Sequence, residues 1–288
     1  MRLFTFATVL LLSSTLAQAD EPHGWCGTPS PSAELARPFI EQLQKSEPRF
    51  LPKASVTIPI AFHVIHDGKN GVFTKEQMAT VVNNMNWAYR DTPYTFRLQR
   101  FESIKNRELY FHCVVDQNKY KRIRNRFAFD PKNTLNVYTC RLGADILGIS
   151  TFPPGYPVPG NPFQHSLQGI FMDHTAIGTE KYPNGMILAH EIGHYLGLFH
   201  TFESYFNPGR EKCADPGDYV DDTPTQGKHY LGSCFPNAGF DSCPALPGND
   251  DFPNFMNYAT EACLQHFSPG QIERMIQAVE QYRPTLVN

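Results

Sequence analysis

The chain is 288 residues long with a formal net charge of −3, and it is predicted to adopt an α/β fold. Three observations point there. Val56 to Ile65 is apolar almost throughout, which suits a strand covered on both faces at the centre of a sheet. Thr74 to Tyr89 repeats Met78, Val81, Val82, Met85 and Ala88 at helical spacing, so a helix follows that strand. A second helix is expected around His190, crowded by Met186, Ile187, Leu188, Ala189, Ile192, Leu196 and Leu198. It stops at Gly197, and the chain beyond is rich in loops and cysteines.

Taken from its start, the chain opens with Met1-Arg2, an apolar run from Leu3 to Leu12, and the small-x-small site Ala17-Gln18-Ala19. This is the form of a secretory signal over residues 1–19, with Asp20 as the new N-terminus. The apolar run is about half of the ~20 residues that span a bilayer, and no later stretch is long and apolar enough. No basic patch suggests nucleic acid. An exported protein is therefore expected, with no membrane or nucleic-acid partner. In that compartment its 7 cysteines imply disulfides plus one left over.

Residues 20–53, rich in Pro, Ser and charge, read as a pro-segment or lead-in with a short helical stretch near Ser32 to Lys45. The body is expected over 54–288. Thr74-Lys75-Glu76-Gln77 has the pattern of a capping box. Further strands are expected at Tyr94 to Arg100, within Ile104 to Val114, at Thr134 to Thr139 and at Gln168 to Met172. His63 and His66 are expected to be structural. The basic stretch Lys119 to Phe129 reads as a solvated helix face. Cys113 and Cys140, each ending a strand, are expected to pair. Gly148 to Phe163, dense in Pro and Gly, reads as loop. Ser268-Pro269-Gly270-Gln271 combines an N-cap, a first-turn Pro and a capping-box Gln, and opens a last helix from Ile272 to about Gln281.

The chemistry concentrates in His190-Glu191-Ile192-Gly193-His194-Tyr195-Leu196-Gly197-Leu198-Phe199-His200, which reads H-E-x-x-H-x-x-G-x-x-H. His190 and His194, four apart, share one helix face and can bind one zinc ion. Glu191 is displaced around the helix, where it suits a water-activating base. On a continued helix His200 would lie roughly 15 Å along the axis from His190. Gly197 can turn the chain so that His200 returns to the metal. Three histidines leave a fourth position open, the arrangement of a catalytic zinc site. The alternative, an amphipathic helix with solvated histidines, conflicts with the apolar surroundings, where unpartnered polar groups are costly.

Two further stretches carry possible chemistry. Cys213 to Pro224 contains the carboxylates Asp215, Asp218, Asp221 and Asp222, which would repel one another unless neutralised. Oxygen ligands of this kind suit calcium; a solvated acidic turn is the alternative. Asn254-Phe255-Met256-Asn257-Tyr258 reads as core packing when taken alone.

The extended histidine motif resembles the metzincin zinc peptidases. That resemblance requires a Met-turn beneath the metal, which Asn254 to Tyr258 supplies, with Met256 as floor and Tyr258 placed to donate to a developing oxyanion. Together with Asp218 to Pro224, Cys263 and Phe267 to Gln271, these features resemble the pappalysin-type branch, which includes secreted fungal members. The resemblance implies an upper lobe, about 54–197, with a twisted mixed sheet and two long helices. A loop-rich, disulfide-stapled lower lobe, about 198–288, would follow, with the cleft between them. It implies the pairs Cys213–Cys243 and Cys234–Cys263, and calcium on Asp218, Val220 (by its carbonyl) and Thr223. It also suggests that Cys26 enters the fourth zinc position as a latency switch; a disulfide to the body and a free thiol are the alternatives. Gly169 to Met172 is assigned the upper rim of the cleft. Glu261 could line a primed-side pocket and favour a basic side chain. Asn257 departs from the acidic residue usual beside the Met, and the loop Glu203 to Lys212 looks longer than usual.

The function expected is a secreted zinc endopeptidase acting on protein or peptide substrates; a monomer is the default, and the residues leave the oligomeric state open. The alternative is a secreted binding protein stapled by zinc. Such a staple normally fills all four positions with protein ligands and has no use for Glu191.

Overall fold

The computed structural model describes residues 26–45, 55–143, 145–203, 213, 217–230, 234 and 239–287. The expected signal at 1–19 lies outside them, as do residues 20–25 and 46–53 of the expected pro-segment. The elements are α1 (Ala33–Lys45), β1 (Val56–His66), α2 (Lys75–Ala88), β2 (Tyr94–Lys105), α3 (Arg107–Tyr110) and α4 (Gln117–Phe127). They continue with β3 (Leu135–Cys140), β4 (Gly148–Ser150), β5 (Ile170–Asp173), α5 (Met186–Tyr195) and α6 (Pro269–Tyr282).

The five strands form one mixed sheet in the order β2-β1-β3-β5-β4. Strand β4 alone runs antiparallel to its neighbour. Side chains alternate along each strand, so the sheet has two faces to bury. Ile58, Ile60, Phe62 and Val64 of β1, with Val137 and Met172, pack against α2 and α5. Ile65, Tyr138 and Phe171 face the other way and meet Leu109, Tyr110, Tyr120 and Ile123. Coverage of both faces is why β1 reads as one apolar run. The Tyr89 hydroxyl donates to the Ala189 carbonyl at 2.9 Å and ties α2 to α5.

Both capping boxes form, Thr74 with Gln77 and Ser268 with Gln271. Several sequence expectations are corrected. No separate strand forms within Ile104 to Val114: β2 runs on to Lys105. Asn106 then accepts the Leu109 N–H at 2.9 Å and starts α3, since a short polar side chain offers the backbone a local alternative to the ladder. Cys113 accordingly sits in a turn, though it bridges to Cys140 with the Cα atoms 6.5 Å apart. Gly169 to Met172 is likewise not the rim: β5 lies inside the sheet and β4 is the edge. Three residues in a Pro- and Gly-rich stretch are too few to display a strand period, which is why β4 reads as loop.

Beyond α5 the described chain runs irregularly to α6. Bridges Cys213–Cys243 and Cys234–Cys263, with Cα separations of 5.6 and 4.9 Å, staple this part. The end of α5 is a Schellman turn. Gly197 has φ +106°, its N–H donates to His194 O at 2.9 Å, and the Leu198 N–H donates to Gly193 O at 2.9 Å. A Cβ on Gly197 would also lie 2.7 Å from the Ala278 Cβ of α6. Gly197→Ala is therefore expected to cost about 2–4 kcal/mol through backbone strain and overpacking. Denaturant unfolding of the purified variant measures it.

Candidate metal centre

His190 and His194 project from one face of α5, and the turn at Gly197 brings His200 back to meet them. The His194 Nε2 lies 3.0 Å from that of His190 and 3.1 Å from that of His200. The Nδ1 of His190 faces the Phe255 carbonyl at 2.8 Å, and that of His194 faces the Leu198 carbonyl at 2.7 Å. The Nδ1 of His200 faces the Glu203 carboxylate at 3.1 Å. Carbonyl and carboxylate oxygens accept, so each ring carries its hydrogen on Nδ1 and a lone pair on Nε2. Burial first, and His200 next, hold His190 and His194 well below the usual imidazole range, so neither gains a second proton.

Three lone pairs thus converge with no proton between them, which is repulsive unless a cation joins them. A tetrahedral ion with nitrogens at ~2.0–2.1 Å spaces those nitrogens about 3.3 Å apart, close to what is observed. The donor set fits a metal ion. Cys26 completes it: its sulfur lies 3.6 Å from the His194 Nε2, and one donor atom from each of the four residues lies within 4.8 Å of the others. Burial, then Glu191, push the Cys26 thiol well above its usual range.

The residues leading from Cys26 lie along the sheet edge. Cys26 bridges Gly148 in parallel sense, and the Gly27 N–H donates to Gly148 O at 2.8 Å. The Thr28 hydroxyl accepts the Ser150 N–H at 2.8 Å and donates to Glu191 Oε2 at 2.9 Å. Glu191 is fully buried, and burial raises its pKa to about 8 against the lowering effect of Cys26 and Thr28. Gly148 makes room for it: a Cβ there would lie 2.6 Å from Glu191 Oε1.

Beneath the histidines, Met256 is fully buried and its sulfur fills the space that any side chain on Gly193 would need. The turn is held by Asn254, whose Oδ1 accepts the Met256 N–H at 2.8 Å and whose amide donates to Gln271 at the start of α6 at 2.8 Å. Asn257 donates to Gln226 at 3.2 Å. The Tyr258 hydroxyl stands 3.3 Å from the His200 Nε2 and donates to the Cys26 carbonyl at 3.4 Å. Burial, then Cys26, raise its pKa well above the usual tyrosine range.

Glu261 accepts the Met186 N–H at 2.6 Å and the Asn184 N–H at 3.2 Å, so its carboxylate caps the N-terminus of α5. This fills a gap, because the N-cap Gly185 has no side chain to offer. Glu261 also lines a cavity of about 430 Å³ that runs from Ile187 and Tyr258 to Lys181.

The acidic stretch separates into different tasks. Asp222 accepts the Ser268 hydroxyl at 2.6 Å and the Gly270 N–H at 2.8 Å, at the start of α6. Asp221 is exposed. Asp218 is buried, accepts from the Thr223 hydroxyl, the Val220 N–H and the Gln271 amide, and is pushed up to about 7 by burial. The Thr223 hydroxyl also lies 2.8 Å from the Val220 carbonyl.

Thr28, Gly148 and Glu203 escaped the sequence reading. Only Glu203 left a signal, as an acidic residue three positions after the last motif histidine; the other two reach Glu191 from distant parts of the chain.

A peptidase-family profile, Peptidase_M43, described as pregnancy-associated plasma protein-A, matches residues 118–280. Extracellular metalloproteases of Arthroderma benhamiae and Arthroderma gypseum are 33% and 30% identical over 284 residues, covering 96% of this chain and 91% of theirs. Among solved structures, a mutant of Tannerella forsythia promirolysin superposes with a TM-score of 0.71 at 22% identity, covering 91% of this chain and 96% of that one. Mirolysin in complex with compound 9 gives a TM-score of 0.67 at 21% identity, covering 82% and 97%.

The burial of Asp218 has a measurable consequence. Its folded pKa, about 7, exceeds the unfolded value near ~3.9. Folding therefore favours the protonated form, and this contribution is fully present below the unfolded value and lost as pH rises through the folded one. Stability of the metal-free protein is expected to decline over that window relative to Asp218→Asn, measured by denaturant melts at stepped pH.

Proposed function

Since the chain belongs to the M43 family of peptidases, we propose that it is a secreted zinc endopeptidase whose own leading segment closes its active site. The observation that carries this is the convergence of His190, His194 and His200 on one point, their Nδ1 atoms held elsewhere, with Glu191 beside them. We take residues 1–19 as the signal, 20–53 as the pro-segment and 54–288 as the catalytic domain, its upper lobe ending near 197.

The three histidines hold the zinc. Bound there, zinc would supply a Lewis acid that activates the peptide carbonyl and the attacking water. Glu191 accepts the proton of the attacking water and passes it to the leaving amine. The Tyr258 hydroxyl donates to the oxyanion, and Met256 supports the ligands from below. An extended substrate takes the edge of β4, where the leader now lies, and pairs through its backbone. The cavity beside Tyr258 accepts the side chain that follows the scissile bond, with Glu261 favouring a basic one.

In the uncleaved chain Cys26 fills the fourth ligand position and Thr28 engages Glu191, so neither substrate nor water reaches the base. Asp218, the Val220 carbonyl and Thr223 are the proposed calcium ligands. Calcium and a proton would compete for Asp218, so added calcium should raise the melting temperature more at pH 7 than at pH 4.

A peptide library read by mass spectrometry, with Glu191→Ala as blank, tests the catalytic assignment. Internal cuts are expected from the processed wild type, at a rate about 10²–10⁴-fold above the variant; equal cutting by both would remove Glu191 from the mechanism. Enrichment of Lys and Arg just after the cut supports the Glu261 role, and indifference to them leaves that residue a helix cap only. The uncleaved Cys26→Ala chain is expected to cut a quenched peptide while the uncleaved wild type stays silent. Silence from both would show that Cys26 is not the sole latch.

A further inference from the structure

His200 is held differently from the other two ligands. His190 and His194 sit on α5, whose backbone fixes them, and their Nδ1 atoms donate to neutral carbonyls at 2.8 and 2.7 Å. His200 lies past the helix end, in an irregular turn. Its Nδ1 donates to Glu203 Oε2 at 3.1 Å, and its backbone N–H donates to the same oxygen at 3.0 Å. The Glu203 N–H in turn donates to the His200 carbonyl at 3.1 Å. The two residues close a set of three hydrogen bonds, both almost fully buried.

We infer that Glu203 is the positioning residue of the metal centre: it holds His200 in the Nδ1–H tautomer and places a negative charge behind the ring that strengthens its Nε2 as a ligand. The inference rests on the zinc reading above. A carboxylate partner makes an imidazole a stronger donor than a carbonyl does, because it stabilises the charge that the ring displaces towards Nδ1–H. A capped turn alone would require only an acceptor for the His200 N–H. The Glu203 oxygen also reaches the ring. A buried carboxylate is costly without a compensating positive charge, and a divalent cation one imidazole away supplies it.

The test compares zinc affinity of the full chain with that of Glu203→Gln and Thr201→Val, by competition with a chromophoric chelator, alongside melting temperatures. Glu203→Gln can keep the shape and loses the charge. Thr201→Val removes the bond to Gln226 in the same turn without touching the His200 ring. Glu203→Gln is expected to weaken zinc binding about 10–100-fold, with Thr201→Val unchanged. Unaltered affinity in Glu203→Gln, or equal loss in both variants, overturns the inference. A wild type that binds no zinc overturns the site reading instead. Should Glu203→Gln fail to fold, the Nδ1 proton resonances of the zinc-loaded wild type decide. That of His200 is expected downfield of those of His190 and His194, and a position level with or upfield of them counts against the inference.

Discussion

Three imidazole nitrogens with their lone pairs aimed at one another cannot be held together by their own contacts. The His194 Nε2 has two such neighbours, at 3.0 and 3.1 Å, and each ring must be gripped from behind. The Met-turn supplies the Phe255 carbonyl, the Schellman turn supplies Leu198, and the turn after His200 supplies Glu203. These three segments are brought together by the fold around α5. The disulfides and the Asn254–Gln271 hydrogen bond keep the irregular half of the chain close enough to α5 to do so.

The same crowding explains where glycine is required. Gly193 leaves space for the Met256 sulfur, Gly148 for the Glu191 carboxylate, and Gly197 for the reversal of the chain. Glu191 is fully buried between Gly148 on one side and Thr28 of the leader on another. Burial keeps its pKa high.

Much of this was legible in the residues. The apolar run of β1, the spacing of α2 and the capping boxes depend on local periodicity and on side chains that bond within three positions, so they survive without tertiary context. The strand missed at β4 and the one wrongly expected within Ile104 to Val114 are both short. Over such lengths a period cannot be told from chance, and the result depends on which neighbour is present. The rim assignment failed for a related reason: a strand carries no mark of whether it lies at an edge until its partners are known.

The sequence by itself located the three histidines that converge, the glutamate beside them and the turn that reunites them, because spacing along a helix and the backbone freedom of glycine are local properties. It also determined the family, through the same residues. Tertiary structure alone decided among the three fates open to Cys26 by bringing its free thiol to His194, and decided that Thr28 meets Glu191, that Glu261 caps α5, and that Asp222 serves α6 while Asp218 is buried. Each of these joins residues far apart in the chain, through hydrogen bonds that exist only once the sheet and the helices have packed.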